Sequence, residues 1–453
     1  MRKTVACAFL AAALCAVGAQ AQKAQKYPIE QFKLKNGMRV VLSQDKSAPV
    51  VGLALAYDVG SKDEAKGKTG FAHLFEHMMF QGSANVGKFE HAKLIDSAGG
   101  VMNGFTRPED TTYVETVPSE KLPLILWLEA DRMRSLAVTS DNLKNQQEVV
   151  KEEKRLRYDN LPYANARQKL VELAIQNPSY QHSTIGSMKD LDEASLQDVK
   201  GFFKTYYAPN NAVLVLVGDL DIKQTKLLVS KFFDAVPSQP APPKPNLAEP
   251  KQSAERRESV SDPLARLPAL MMAWHGPSLA ETDSYAVDIM NEILFSGETS
   301  RAYQEIIKGK QLAVSLNGGL NQQRGPSLFT LMAIFPANVN SADLEKAIYA
   351  QIDALKHSAP SIEELTRVKA RLNAARYRSA GFQGVESMLG RAVEIADHTI
   401  FQNNPELINT EFDKYLAVTP AQVQAVANKY FAPANRTVLE VQAAAGRPMG
   451  GTR

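Results

Sequence analysis

Thiols are nearly missing from this chain. Its 453 residues include two cysteines, Cys7 and Cys15, both close to the N-terminus. Everything after them is excluded from disulfides, cysteine zinc sites and cysteine nucleophiles. Charge of one sign is also lacking, since 52 Lys and Arg against 49 Asp and Glu leave a formal +3. With no dense Lys/Arg run, that balance argues against a nucleic-acid partner, which normally demands a large basic excess. Beyond the N-terminus no apolar run reaches the roughly 20 residues of a spanning helix, so stable membrane insertion is not expected. Histidine is scarce as well, with seven in the chain. What is present, 44% hydrophobic and 22% charged residues, is globular composition at a length that suggests two or three domains.

The first 21 residues read as a signal peptide. "MRKTVACAFLAAALCAVGAQA" has a basic start at Arg2 and Lys3, an apolar middle, and Ala19-Gln20-Ala21 as an A-x-A cleavage site. The apolar part is too short to anchor the chain, and Leu14 before Cys15 is too bulky for a lipoprotein site. An exported, periplasmic protein cleaved after about Ala21 is expected.

Residues 236–259, "VPSQPAPPKPNLAEPKQSAERRES", carry six prolines and little that could enter a core. They read as a semi-rigid linker between an N-terminal unit, residues 22–235, and a C-terminal unit, residues 260–445. Residues 446–453 read as a flexible tail. The two units look related, because "YYAPNN" at Tyr206 to Asn211 reappears as "YFAPAN" at Tyr430 to Asn435. Each follows a helix-like stretch and precedes a β-branched run, as an internal duplication would produce. A hairpin at Asn36-Gly37, a buried strand in "PVVGLALAY" and two strands around "RPED" mix with helical segments. The expected class is α+β, a mostly antiparallel sheet packed with helices, used twice.

Within the first unit, "GFAHLFEHMMFQG" at residues 70–82 sets His73, Glu76 and His77 in an apolar helical run. Residues four apart lie one turn apart on a helix face, so both imidazoles can reach one metal ion. Glu76 shares that face and can take a proton from an attacking water and pass it to a leaving amine. The order H-x-x-E-H inverts the commoner zinc-peptidase motif. The alternative, two core histidines, would bury two imidazoles and a carboxylate without partners at a cost of about 2 kcal/mol or more per group. With no thiol available, the third ligand must be acidic or a distant histidine. "NQQEVVKEEKRLRY" offers Glu148, Glu152 and Glu153. On a helical wheel Val149, Val150 and Leu156 define an apolar stripe with Glu153 near its middle.

These residues resemble the pitrilysin family, in particular its two-domain processing-peptidase-like subunits. There an H-x-x-E-H helix is followed about 75 residues later by a glutamate in an "R-E-V-V-x-E-E" stretch, here "QEVVKEE" with Gln147 in place of arginine. The resemblance implies one Zn2+ per chain, with His73, His77 and Glu153 as ligands and Glu76 as general base. It also implies that Asn103, Gly104 and Phe105, in the family's "N-A-x-T" strand ending at Thr106, pair with an extended peptide. Gln146 replaces a supporting glutamate that is common seven residues before the third ligand.

The second unit departs from the motif. Aligning "MNEILFSG" with "EHMMFQG" puts Asp288, Asn291 and Glu292 at the positions of His73, Glu76 and His77. Single-chain family members take an Arg and a Tyr from the C-terminal half to hold substrate, whereas the matching positions here are Ile307 and Val314. Neither side chain can donate a hydrogen bond. The resemblance therefore implies a zinc endopeptidase of peptides, completed by a homologous subunit without zinc or by another copy of the chain. The alternative is a non-catalytic, peptide-binding or assembly subunit. The other histidines, His91, His182, His275, His357 and His398, are scattered and read as structural or surface residues.

Overall fold

A computed structural model describes residues 26–378 and 384–443. The expected signal peptide and the tail at 446–453 lie outside the described residues. The N-terminal half runs β1 (Glu30–Lys33), β2 (Arg39–Gln44), β3 (Val50–Tyr57), α1 (Phe71–Met78), α2 (Glu90–Ser97), β4 (Val101–Thr106) and β5 (Thr111–Pro118). It continues through α3 (Leu122–Ser135), α4 (Ser140–Lys154), α5 (Ala164–Ala174), α6 (Leu196–Tyr206) and β6 (Ala212–Gly218). The C-terminal half contains β7 (Arg256–Asp262), β8 (Ala269–Gly276), α7 (Asp283–Leu294), β9 (Ser315–Asn321) and β10 (Ser327–Ile334). After it come α8 (Met388–Gln402), α9 (Leu407–Ala417), α10 (Pro420–Tyr430) and β11 (Arg436–Ala443).

The first sheet has the order β1-β2-β6-β3-β5-β4 and the second β7-β11-β8-β10-β9. Neighbours are antiparallel except β2 with β6 and β7 with β11, which run parallel. The same parallel pair in the same place is the clearest mark of duplication, and the first sheet adds β1 at its margin. The local chemistry repeats too. Asn211 Nδ2 donates to the carbonyls of Tyr206 (2.9 Å) and Asp58 (3.1 Å), and Asn435 Nδ2 to those of Tyr430 (2.8 Å) and His275 (2.9 Å). Both preceding helices, α6 and α10, open with a capping box, Ser195 with Asp198 and Thr419 with Gln422.

β1 and β2 form the expected hairpin, although its connection is the five-residue loop Leu34–Met38. Gly37 takes φ +91°, and Asn36 Nδ2 ties the loop to the carbonyls of Phe233 and Val236.

Each sheet is covered on its second face by a helix from the other half. β6 is buried along its whole length because its alternate residues face two cores. Leu214 and Leu216 meet the helices of the N-terminal half, while Val213, Val215 and Val217 meet Met388, Ala392, Ile395 and Ala396 of α8. Gly52 permits this approach, since a Cβ there would lie 2.8 Å from the backbone nitrogen of Leu389. Reciprocally, Ala166, Leu170 and Ala174 of α5 pack on Ala269, Met271 and Ala273 of the second sheet.

Regular structure resumes at Arg256, inside the stretch read as linker to residue 259, because β7 pairs with β11 from Arg256 onward. An edge strand with mostly exposed polar residues leaves no apolar signature in the sequence. The proline-rich segment is also tied down. Glu249 accepts from the amides of Gln176 (2.8 Å) and Asn177 (2.9 Å), and Gln252 donates to the carbonyl of Arg436 (2.7 Å).

Candidate metal centre

α1 buries Phe71, Ala72, Leu74, Phe75 and Met78 and turns His73, Glu76 and His77 to its half-buried face. Its start is fixed by Gly70 at φ +91°, where a Cβ would meet the Ile185 carbonyl oxygen at 2.7 Å. The buried carboxylate of Glu64 accepts from the amides of Gly70 and Ala72, both at 2.8 Å, and so caps the positive end of the helix. Nothing in the spacing of Glu64 announces this role.

The two imidazoles lie edge to face with centroids 4.8 Å apart. Glu153 Oε2, from the last turn of α4, is 3.2 Å from His77 Nε2 and 3.7 Å from His73 Nε2. Its other oxygen, Oε1, pairs with Arg157 at 2.9 Å, a contact the sequence reading missed. Glu148 and Glu152 point to solvent, with side chains 64% and 58% exposed. The reason Glu153 turns inward differs from the helical-wheel argument. Val149 and Leu156 are exposed, and the buried side of α4 is Leu143, Gln146 and Val150, which Glu153 continues at helical spacing.

This donor set fits a divalent ion. Ligand atoms bound at about 2.0–2.1 Å in a tetrahedron stand roughly 3.4 Å apart, and the distances observed bracket that value. Burial, then His77, pushes His73 down from 6.5 to about 4, so a ring nitrogen lone pair is available at neutral pH. The hydrogen bond from His77 holds Glu153 below its usual range. His73 Nδ1 is buried without a partner. Gln146, also buried, donates its amide to Asn145 Oδ1 at 2.9 Å.

Glu76 Oε2 accepts from Thr106 Oγ1 at 2.7 Å, which binds the end of β4 to α1. Burial raises the Glu76 carboxyl, and the Thr106 hydroxyl opposes that rise. Gly104 lies directly opposite, where a Cβ would be 3.1 Å from Glu76 Cγ. β4 is an edge strand of its sheet, at the end opposite β1. Its Gly104 amide is held by Asn103 Oδ1 (2.9 Å), and the Phe105 ring lies under Arg107.

The corresponding helix of the second half, α7, has its acidic residues engaged elsewhere. Tyr415 donates to Asp288 Oδ2 at 2.8 Å, and Glu292 pairs with Arg371. Ile307 is partly buried against the second core, and Val314 is exposed.

Fold and site together define a class, a two-domain α+β protein with an H-x-x-E-H helix in its first domain. The family described as Insulinase (Peptidase family M16) matches residues 39–187, and the one described as Peptidase M16 inactive domain matches residues 193–372. The chain belongs to this M16, or pitrilysin, family of two-domain peptidases. It is similar to zinc protease PqqE of Helicobacter pylori, 29% identical over 90% of this chain and 92% of the relative. The crystal structure of a protease from Helicobacter pylori superposes with a TM-score of 0.87 at 28% identity, covering 92% of this chain and 100% of that one. A peptidase M16 inactive domain from Pseudomonas fluorescens shares the fold, with a TM-score of 0.82 at 19% identity over 91% of this chain and 97% of that one. Several relatives are named zinc proteases, so zinc use is a feature of the family.

Proposed function

We propose that the chain is a zinc endopeptidase that hydrolyses short or unfolded peptides held in extended form. The observation that carries this reading is the convergence of His73, His77 and Glu153 beside Glu76, next to an edge strand. A zinc ion held by those three side chains would supply a Lewis acid that polarises a peptide carbonyl and acidifies water. Glu76 takes the proton of the attacking water and returns it to the leaving amine. Its raised affinity for a proton suits a group that must carry one transiently near neutral pH. β4 receives the peptide as an added strand through Asn103, Gly104 and Phe105, with Asn103 Oδ1 giving up the Gly104 amide as the peptide arrives. Metal analysis together with cleavage of an unfolded peptide tests this reading. Glu76→Gln should keep its metal and its peptide affinity while turnover falls about 10²–10⁴-fold. Unchanged turnover would refute the assignment.

With Ile307 and Val314 at the positions of the family's Arg and Tyr, a homologous subunit without zinc supplies that pair across a closed chamber, which a second copy with the same Ile and Val could not do. Mixing with such a subunit should raise the cleavage rate about 10²–10³-fold, the usual worth of an oxyanion donor. Equal rates with and without it would remove the partner from the scheme. The N-terminal 21 residues support export to the periplasm, where unfolded exported chains are the available substrates. A second reading, a non-catalytic peptide-binding subunit, is favoured by the same two side chains and by Gln146. Under it Glu76→Gln leaves peptide binding intact, and wild type has no hydrolysis to lose.

A further inference from the structure

The construction seen at α1 and α4 recurs at the other side of the first sheet. Glu394 and His398 lie four residues apart on α8, and Glu411 projects toward them from α9. His398 is 6% exposed, and its Nε2 has no hydrogen-bond partner. That nitrogen is 3.4 Å from Glu411 Oε2 and 3.7 Å from Glu394 Oε1. The corresponding distances around Glu153 are 3.2 and 3.7 Å, so the second trio is spaced as the first is. The division of labour at the acidic ligand also repeats. Tyr285 donates to Glu411 Oε1 at 3.3 Å while Oε2 faces the imidazole, as Arg157 and the histidines divide Glu153.

A buried ring nitrogen without a hydrogen bond, facing two carboxylate oxygens just beyond the usual hydrogen-bond range, is left unsatisfied although both carboxylates have other partners. An ion at about 2.0–2.2 Å from each ligand atom would engage all three. The surrounding charges do not fill the position. Arg376 reaches Glu394 Oε1 through one nitrogen at 3.3 Å, Lys414 is turned to the Tyr285 hydroxyl at 3.2 Å, and Asp397 is forked by Arg107. A cavity of ≈ 260 Å³, lined by His398, Glu411, Asp397, Arg107 and Gln402, gives access and room for water ligands. A third trio, His91, Glu115 and Glu129, fails the same test because His91 Nε2 is already hydrogen-bonded to Glu115 at 2.7 Å and the buried Arg132 forks Glu129.

We propose that Glu394, His398 and Glu411 form a second divalent-cation site, separate from the centre on α1. One imidazole and two carboxylates suit Zn2+ or Mn2+. The ion clips α8 to its successor α9 within the C-terminal half, so its role is to fix the orientation of the helix that the C-terminal half lays across the first sheet.

This inference does not depend on the peptidase reading, and its test separates the two. The full chain, stripped of metal, is titrated with Zn2+ alone, and bound equivalents are counted by equilibrium dialysis and elemental analysis. Wild type should bind two equivalents and the His73→Ala/His77→Ala double variant one. Adding His398→Gln to that double variant should bring binding to zero and abolish the rise in melting temperature that Zn2+ produces. Glu411→Gln on the same background keeps the side-chain shape and should show the same loss, which guards against a folding defect in the histidine variant. A double variant that binds no Zn2+, or one that keeps its equivalent after His398→Gln or Glu411→Gln, overturns the proposal. Failure of wild type to cleave peptide would touch only the α1 reading.

Discussion

Thr106 is the residue on which the proposed base depends most directly. Its hydroxyl donates to Glu76 at 2.7 Å and opposes the rise that burial causes in that carboxyl. Thr106→Val removes the donor while keeping the shape, so the Glu76 carboxyl must rise further. The acid limb of kcat/KM should then move to higher pH by about one to two units. A hydrogen bond to a charged group is worth about 1.5–3 kcal/mol, and one unit is about 1.4. A pH profile with an unmoved acid limb would show that Glu76 is not the group being titrated. A second residue-scale consequence concerns stability. Burial pushes Glu115 from 4.5 up to about 7, next to the equally buried Glu129 and Arg132. The folded chain therefore binds this proton more tightly than the unfolded chain does. The resulting stability is full below about 4.5 and is lost as pH rises through 7. His91, which burial pushes down to about 3, contributes the opposite slope below 6.5. It accepts or donates equally well to a glutamine at 115, so Glu115→Gln removes the carboxyl's part together with the rise it causes in Glu129, which has the same sign. Between pH 5 and 8 the melting temperature of wild type should fall relative to the variant. Parallel curves would mean that Glu115 stays ionised throughout.

At the scale of elements, what the sequence could reveal depended on whether the cause was local. The H-x-x-E-H face is a property of one helical turn, and His73, Glu76 and His77 stand on it as the spacing requires. Glu153 was reached by an argument that failed in its details, because Val149 and Leu156 are exposed and the buried row of α4 runs through Gln146 and Val150. A wheel drawn from apolar residues alone cannot count a buried glutamine as part of the stripe. Glu64 and Arg157 were invisible for a different reason, since each acts by meeting a backbone or side chain that only the fold brings near. The entry into α1 shows how narrow the local tolerance is. Gly70 combines φ +91° with a carbonyl oxygen 2.7 Å from where a Cβ would stand. Gly70→Ala must strain the backbone and displace residues 185–186, at a cost of about 1–3 kcal/mol. Because the strain falls at the N-terminus of the helix that carries both histidines, zinc affinity should fall together with the thermal midpoint. A variant with lowered stability but unchanged affinity would show that α1 re-forms independently of its start.

At the scale of the molecule, the duplication was legible in "YYAPNN" and "YFAPAN", but the exchange of helices was not. α8 and α5 are amphipathic in sequence, and nothing in that pattern says which sheet each will cover. The structure answers by crossing them, α8 onto β3 and β6 and α5 onto β8 and β11. The two halves are thus two domains by ancestry that cannot be two domains in folding. Without α8, residues 26–235 would expose Val41, Ala54, Ala56, Val114, Val213, Val215 and Val217 on one sheet face. Burying a valine is worth about 1.5–3 kcal/mol, so the five valines alone amount to on the order of 10 kcal/mol. That matches the whole stability of a typical domain, about 5–15 kcal/mol, and an exposed apolar sheet face invites association. Residues 26–235 produced alone should aggregate or remain unfolded by circular dichroism and size-exclusion chromatography. Adding residues 236–443 as a separate chain should restore a soluble complex, since the proline-rich crossing is needed only to keep the halves together. Gly52→Val in the intact chain should imitate the loss, because its side chain would occupy the space of the Leu389 backbone. A monomeric, cooperatively melting fragment 26–235 would mean that the sheet closes over its second face without α8, and the interlock would lose its energetic role.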